Sequence, residues 1–452
     1  MKIVIVGLGK TGKALTRYLS DEGHDITCVD TKANLIEQVV NTFDVQGLCG
    51  NGATYEILKE AGAESADVLI ASTRNDELNI LSCMVAKTLG TKKTVARIRE
   101  PEYAEQFEEI HGKLNIDCMI NPEEECAKEI IRLLRFPLAS KVETFARDRV
   151  DCVEYVVEEG NDIIGKTAHE VVEKLKANVI FGSVVRNEEL FIPRGDFKFE
   201  ANDKVTVIGR LVDVNSFLKK TDVISSKVKS VLIVGGGLTS YYLAKKLSAQ
   251  GVNVKIIEKD KERCVKLVTH LDKVSIVCGD GTDKNILEEE GVASVDACIS
   301  LTGIDEQNIM ISLLARNKEV ETVIPKVNND IFFEMSKEIQ LYTVVSPKKV
   351  TSQKVVRFIR AWQVPENSSM LTLYKIAEDR AEAIEFSVGN NELFVGKKIK
   401  DLGVKDNILI VSIIRGGGII TPVGDTELVE KDRIIIIADS DMQIVEVEDI
   451  LE

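Results

Sequence analysis

The chain has 452 residues, enough for three or four domains of ordinary size, and its 44% apolar and 29% charged content is that of a folded globular protein. A formal net charge of −15 argues against broad nucleic-acid binding and against electrostatic docking on anionic lipid. No segment has the apolar length of a membrane span, so direct insertion is not expected and any membrane contact must run through a protein partner.

The first thirty residues set the pattern. Ile3-Val4-Ile5-Val6 is a β-branched run that reads as a buried parallel strand. Gly7-Leu8-Gly9-Lys10-Thr11-Gly12 follows, then Ala14, Leu15, Tyr18 and Leu19 at helical spacing, then a second strand from Asp25 to Val29 that ends at Asp30. Gly7 permits the tight turn, Gly9 lets a pyrophosphate approach the backbone, and Gly12 lets the helix pack close to the strand. The helix N-terminus offers unpaired N–H groups to phosphate. Asp30 stands where an acid accepting ribose hydroxyls belongs. Together these features point to dinucleotide or nucleotide binding, with tight βαβ packing as the bland alternative.

Further along, Leu35-Ile36 and Val39-Val40 read as a helix, and Val45–Leu48 as a third strand running into Gly50-Asn51-Gly52. That loop either borders the nucleotide site or is a plain turn. Asp67–Ala71 is a fourth strand, and Thr73 or Asn75 can cap the helix that follows; Thr73 is also a candidate ligand residue. Arg97 interrupts the apolar fifth strand, 93–98, and needs an anionic partner, either a pyrophosphate or a structural carboxylate. Asp117–Ile120 is a sixth strand. Pro122 starts a helix with an apolar stripe at Ala127, Ile130, Ile131 and Leu134, and Pro137 stops it. The stripe is expected to make a dimer contact, with packing inside its own half as the alternative. Leu138 to about Asp222 reads as a small α+β module, and Ser225-Ser226-Lys227 as a divider.

The unit then repeats. Val231–Val234 and Gly235-Gly236-Gly237-Leu238-Thr239-Ser240 restate the first fingerprint at an offset of 228, the difference between Gly7 and Gly235. Glu258 takes the place of Asp30, Asp280 that of Asn51 and Thr302 that of Thr73. Gly12 becomes Ser240. The second apolar stripe is Val355, Phe358, Ile359 and Trp362, stopped at Pro365. Four domains follow: 1–137, 138–222, 228–365 and 366–452.

Catalytic signatures do not stand out. His24, His111, His169 and His270 lack paired ligand spacing, and nine cysteines without a C-x-x-C pair fit reduced thiols of a cytoplasmic protein. Met1-Lys2-Ile3 runs straight into a strand, so no signal peptide is expected. The acidic triplets Glu123–Glu125 and Glu288–Glu290 read as solvated helix ends.

The order Gly7-x-Gly9-x-x-Gly12, Asp30, Gly50-Asn51-Gly52, Asp76-Glu77-x-Asn79, Ala96-Arg97-Ile98, helix, small module, all repeated, resembles the RCK (KTN) family of potassium-transport regulators. The resemblance implies an α/β architecture: two doubly wound six-stranded parallel Rossmann domains, each followed by a crossover helix and a small α+β domain. It implies NAD or NADH as ligand, with ATP and ADP competing. It further implies a cytoplasmic gating subunit, four chains to a ring, peripheral at the membrane through a TrkH-type potassium-translocating partner, and no enzymatic activity. The first site would use Gly7, Leu8, Gly9, Lys10, Thr11, Gly12, Asp30, Asn51, Thr73, Arg74 and Arg97. The second would use Gly235, Gly236, Gly237, Leu238, Thr239, Glu258, Asp280 and Thr302. The other reading is an NAD-dependent oxidoreductase whose substrate site carries no familiar motif.

Overall fold

The computed structural model describes residues 1–136, 139–145, 149–221, 228–339, 341, 343–363, 369–377, 380–442 and 444–452. The expected stops at Pro137 and Pro365, the module limits at Leu138, Asp222 and Glu366, the divider Ser225–Lys227 and the side chain of His111 lie outside the described residues. Among the described residues, no helix is long and apolar enough to cross a membrane.

The first Rossmann half runs β1 (Lys2–Val6), α1 (Lys10–Asp21), β2 (Asp25–Asp30), α2 (Ala33–Val40), β3 (Gln46–Cys49), α3 (Tyr55–Glu60), β4 (Val68–Ala71), α4 (Asp76–Leu89), β5 (Lys93–Arg97), α5 (Pro101–Leu114), β6 (Cys118–Ile120) and α6 (Pro122–Arg135). Its strands form one parallel sheet in the order β3-β2-β1-β4-β5-β6. The order reverses between β1 and β4, which opens a crevice at their carboxyl ends. Ile3–Val6 and Val68–Ala71 are buried throughout, as strands covered on both faces must be.

The first small module has β7 (Ala139–Phe145), β8 (Val150–Val156), α7 (Ala168–Leu175), β9 (Ile180–Arg186), β10 (Glu189–Phe191), β11 (Lys204–Gly209) and α8 (Leu211–Lys220). The second half repeats the plan as β12 (Ser230–Val234), α9 (Leu238–Ala249), β13 (Asn253–Glu258), α10 (Lys261–His270), β14 (Val274–Cys278), α11 (Lys284–Glu289), β15 (Ala297–Ser300), α12 (Asp305–Asn317), β16 (Thr322–Pro325), α13 (Asp330–Glu338) and α14 (Pro347–Gln363). The last module has β17 (Met370–Ile376), β18 (Ala381–Ser387), β19 (Ile408–Arg415), β20 (Gly418–Ile420) and β21 (Arg433–Asp439).

The second parallel sheet departs from the six strands expected. Among the described residues it has five, β14-β13-β12-β15-β16. At the sixth position stands a single parallel bridge between Lys326 and Val345. Pro325 supplies a reason. Its carbonyl accepts from Val345 N at 3.1 Å, so its nitrogen faces the same edge, and a proline nitrogen has no proton to give to a sixth strand.

Contacts divide the chain into two units that cut across the sequence order: Met1–Ile131 with Val228–Ile359, and Arg132–Lys227 with Arg360–Glu452. Like therefore joins like. In the second unit both antiparallel sheets feed one apolar cluster through Phe145, Val150, Cys152 and Ile208 on one side and Ala383, Val411, Ile435 and Ile437 on the other. Each sheet carries the same fork. Arg186 reaches both oxygens of the buried Asp203 at 2.7 and 2.8 Å, and Arg415 those of the buried Asp432 at 2.9 and 2.8 Å.

In the first unit, the N-terminus of α6 faces the second half. Asn121 Nδ2 donates to the Tyr242 hydroxyl at 2.9 Å, Lys246 approaches Glu124 at 3.2 Å, and Lys354 pairs with Glu125 at 2.8 Å. The triplet Glu123–Glu125 is thus not a solvated helix end. Its side chains are 12–20% exposed and engaged, because the duplication brings lysines of the second half against them. The Glu288–Glu290 triplet pairs only locally, with Lys318, Lys284 and Lys255. The apolar stripes also find their cover within one chain: Ala127, Ile130, Ile131, Val355 and Ile359 are buried in the single polypeptide. A dimer contact between separate chains is not needed to explain them.

A buried asparagine in each half fixes the strand ends. Asn79 Oδ1 accepts from Thr73 N at 2.8 Å and from the Thr73 hydroxyl at 2.7 Å, while its Nδ2 donates to Arg97 O at 2.8 Å. Asn308 repeats these bonds to Thr302 N, the Thr302 hydroxyl and Lys326 O at 2.8, 2.7 and 2.8 Å. Beside it, Asp76 accepts from Arg99 N and Glu100 N at 2.8 and 2.9 Å, and Asp305 from Asn328 N and Asn329 N at 2.8 Å each.

Two outcomes follow. Asn79→Ala strands the Thr73 N–H and the Arg97 carbonyl, so the Rossmann unit should lose about 2–4 kcal/mol, read as a lowered urea midpoint, with Asn308→Ala behaving alike. Ile131→Asp and Ile359→Asp place an unpaired charge in a covered site, costing about 3–5 kcal/mol. Circular-dichroism melting should show that loss at every protein concentration, whereas an intersubunit role makes it vary with dilution.

Candidate functional site

A cleft of about 450 Å³ opens where the sheet order reverses. It brings together Gly7, Gly9, Lys10, Thr11, Asp30, Asn51, Thr73, Arg74 and Arg97. Two of the residues expected there, Leu8 and Gly12, lie beneath it. Leu8 is fully buried, and a Cβ on Gly12 would stand 1.9 Å from Gly7 O, so that position is closed to any side chain while helix and turn keep this spacing. Gly7 has φ +94°, and a Cβ there would meet the Thr73 backbone nitrogen at 2.8 Å. Gly9 differs: a Cβ there would meet no protein atom within 4 Å, so the fold itself does not require glycine. Its smoothness is of use to something approaching from the cleft.

Asp30 is oriented by the loop it serves. Oδ2 accepts from Leu8 N at 2.7 Å and Oδ1 from Lys32 N at 2.9 Å. Each oxygen keeps a further lone pair, enough to accept vicinal ribose hydroxyls. The Gly50-Asn51-Gly52 loop serves as both turn and wall. Asn51 Oδ1 accepts from Ala53 N at 3.1 Å, closing an Asx turn, and Cβ atoms on Gly50 and Gly52 would strike Ile57 at 2.5 Å and Val6 at 2.3 Å. Asn75 is the cap of α4, accepting from Leu78 N at 2.6 Å. Thr73 instead gives its hydroxyl to Asn79, so its contribution to the cleft wall is mainly its shape and backbone.

Arg97 has found a structural partner as well as a place in the cleft. Nη1 donates to Thr73 O at 2.9 Å, and Nη2 lies 3.8 Å from Glu123 Oε1. Burial pushes its pKa down, opposed by the Glu123 charge. Its Nε is buried without a protein partner. Such a donor at a cleft wall suits an anion. Sequence reasoning missed Lys32 and Arg99, which join Lys10, Arg74 and Arg97 on the lining. Arg99 Nε donates to Glu123 at 2.9 Å. Its carbonyl accepts from the Tyr242 hydroxyl at 3.0 Å, so the second half touches the rim of the first site. Tyr242 lies at the position of Ala14 in the first copy, and no periodicity marks it.

The second half preserves the frame and changes the lining. Gly235 keeps φ +101°, and Gly237, like Gly9, would offer a Cβ nothing within 4 Å. Ser240, in place of Gly12, gives its hydroxyl to Gly235 O, so a hydrogen bond replaces the bare close approach. Glu258 Oε2 accepts from Gly236 N at 2.6 Å and Oε1 from Asp260 N at 2.8 Å, the same bonds as Asp30 through a longer arm. The extra methylene has a counterpart: position 236 is glycine where the first copy has Leu8, and a Cβ there would press on Glu258 Cβ at 3.0 Å. Lys326 replaces Arg97, donates to Leu301 O at 3.0 Å and has its pKa lowered by burial. Asp280 holds Thr282 N and its hydroxyl at 2.9 and 2.8 Å, bonds that keep its pKa low. Thr239 is buried at the start of α9 and Thr302 sits under Asn308. Lys10, Lys32, Arg74 and Arg99 correspond to Leu238, Asp260, Gly303 and Asn328. Four of the five cations are thus lost, while Lys259 and Arg263 stand at the positions of Thr31 and Leu35, and Arg263 lies 3.6 Å from Glu258.

Comparison with known proteins agrees with this geometry. The TrkA-N domain model matches residues 3–122 and 231–347, and the TrkA-C domain model residues 152–221 and 383–448. A Trk system potassium uptake protein TrkA homolog of Archaeoglobus fulgidus is 34% identical, covering 97% of each chain. The Trk system potassium uptake protein TrkA of Vibrio alginolyticus is 30% identical over 96% of this chain and 95% of its own. The GsuK RCK domain shares the fold, with a TM-score of 0.62 at 17% identity over 97% of this chain and 92% of that one. The GsuK channel bound to NAD gives a TM-score of 0.63 at 17% identity over 97% of this chain and 77% of that one. With both halves matched and full-length relatives at this identity, the chain belongs to the TrkA family.

Proposed function

We propose that this chain is a nucleotide-binding regulatory subunit of a Trk-type potassium-uptake system, and that the first Rossmann half is its principal ligand site. The observation that carries this is the lining of the first cleft. Open backbone at Gly9, an oriented Asp30 and the cations Lys10, Lys32, Arg74, Arg97 and Arg99 converge on one crevice of nucleotide size. NAD or NADH is the dinucleotide, a class supported by the NAD-bound GsuK channel of the same fold, and ATP and ADP compete for the shared adenosine and phosphate contacts. In this reading Gly7, Leu8, Gly9, Lys10, Thr11 and Gly12 form the phosphate turn, Asp30 takes the ribose, and Asn51, Thr73, Arg74 and Arg97 meet the far end. The second-half set, Gly235 to Thr239, Glu258, Asp280 and Thr302, binds more weakly, because four of the five cations are replaced and two of the remaining cations are engaged, Arg263 with Glu258 and Lys326 with Leu301 O.

The cleft suits binding better than turnover. Asp30 is placed for a ribose and oriented by Leu8 N and Lys32 N, and Arg97 is tied to Thr73 O, so both are accounted for as binding residues. The chain is assigned four domains, 1–137, 138–222, 228–365 and 366–452. Four such chains form a cytoplasmic ring beneath a TrkH-type membrane subunit, and ligand exchange biases the ring between conformations that open or close the potassium pathway.

Two measurements test the reading. By calorimetry, NAD(H) or adenosine nucleotides should outcompete NADP(H), because Asp30 repels a 2′-phosphate, and Asp30→Ala should weaken first-site binding by about 1–3 kcal/mol. Glu258→Ala should leave the tighter binding event in place; tight binding that survives Asp30→Ala and disappears with Glu258→Ala would assign the principal site to the other half. Potassium flux in vesicles holding the membrane partner should respond to exchange of ADP for NADH, and Arg97→Ala should reduce that response. Flux indifferent to nucleotide identity overturns the gating assignment.

A further inference from the structure

The second half holds a pair of thiols that the nucleotide reading does not use. Cys264, in the first turns of α10, is 7% exposed, and its Sγ donates to Glu258 O at 3.3 Å. Cys278 ends β14, is exposed, and is the register partner of Glu258 in the parallel ladder. Gly279 N, the next group along, donates to the same Glu258 carbonyl at 3.0 Å. One carbonyl thus gathers both segments: it accepts from Cys264 Sγ and from the N–H that follows Cys278, and Cys278 is paired with the residue that bears it. The first half is built differently. Cys49 is paired with Asp30 as Cys278 is with Glu258, but Ile36 stands where α10 has Cys264. Cys49 Sγ donates to the Thr31 carbonyl at 3.6 Å.

We propose that Cys264 and Cys278 form a thiol–disulfide exchange site, oxidised by low-molecular-weight disulfides, that reversibly locks α10 to the end of β14 beside Glu258. The accessible Cys278 thiolate attacks one sulfur of the oxidant, breaking its S–S bond and releasing one thiolate, and a mixed disulfide remains. Cys264 then loses its proton to solvent and attacks Cys278 Sγ, breaking the mixed disulfide and expelling the second thiolate. Two electrons pass from the protein thiols to the oxidant. The order follows from the setting: Cys278 faces solvent, whereas burial and the adjacent thiol push the Cys264 pKa up to about 11, which makes it a poor first nucleophile and a close resolving one. The closed bond would tether the helix to the strand whose Glu258 carboxylate holds the Gly236 turn, so the oxidation state is written on the second fingerprint loop.

The test treats the folded full-length chain with oxidised glutathione, blocks free thiols with iodoacetamide, and maps peptides without reduction. Wild type should yield the Cys264–Cys278 cross-link and no lasting glutathione on Cys278, and dithiothreitol should reverse it. Cys264→Ser should trap glutathione on Cys278. Cys278→Ser, an exposed change that leaves the core intact, should leave Cys264 unmodified. A stable Cys278 adduct in wild type, a Cys278 cross-link to Cys49 or to a second chain, or glutathione on Cys264 in Cys278→Ser overturns the proposal. The mapping needs no nucleotide, so its failure is separate from failure of the reading above.

Discussion

The carboxamide of Asn79, with its copy Asn308, is the constraint on which the nucleotide crevice depends. A parallel sheet ends in carbonyls and N–H groups that the next strand no longer satisfies, and at the reversal between β1 and β4 those ends border the cleft. One fully buried side chain answers both neighbours. It accepts from the loop after β4 and donates to the last residue of β5, so Thr73 and Arg97 are held at a fixed separation. Asp76 completes the clamp by taking two N–H groups of the loop after β5. Because these bonds recur at nearly the same lengths around Asn308, the clamp belongs to the fold and not to either lining. What the lining residues do is then free to diverge.

That divergence is chiefly electrostatic. The two halves keep the turn, the acid and the clamp, so both remain competent βαβ units. Yet the first presents five cationic side chains to its crevice, while four of the matching positions in the second are Leu238, Asp260, Gly303 and Asn328, and the fifth, Lys326, points its ammonium at a backbone carbonyl. Polyphosphate affinity rests on such cations more than on the dipole of one helix. A duplicated fold whose two crevices place their cations differently differs from a pair of equal sites.

Much of this was legible in the sequence for a definite reason. Glycine spacing, apolar runs and the recurrence of both at an offset of 228 or 229 are local signals, and they located β1, the phosphate turn, Asp30 and the repeat. Long-range facts were not local. Glu123–Glu125 looks like a solvated helix start until Lys246 and Lys354, more than a hundred positions away, are folded against it. Tyr242 has no counterpart in the first copy to draw the eye. That the described residues hold a single bridge where a sixth strand was expected turns on the direction in which one proline nitrogen points. Asn79 and Asn308 end the two copies of the Asp-Glu-x-Asn pattern; only burial and bonding show that they, and not Thr73 and Thr302, organise the loop.

The first turn of α6 is where the crevice and the other half come within reach of each other. Glu123 sits 2.9 Å from Arg99 Nε and 3.8 Å from Arg97 Nη2, both on the cleft wall. Its neighbours Glu124 and Glu125 pair with Lys246 and Lys354 of the second half. Asn121, capping the same helix, donates to Tyr242, which in turn donates to the Arg99 carbonyl. Under the proposed function, an anion between Arg97 and Arg99 would compete with Glu123 for the charge of both guanidinium groups, and Glu123 stands on a helix whose next two side chains hold the opposite half. A ligand biases two arrangements only by the difference in its affinity for them. Under the proposed function that difference would have a physical seat: the extent to which the arginines are shared between phosphate and Glu123. A dinucleotide and a mononucleotide place their charge at different depths in the crevice, so they would draw on that shared pair unequally.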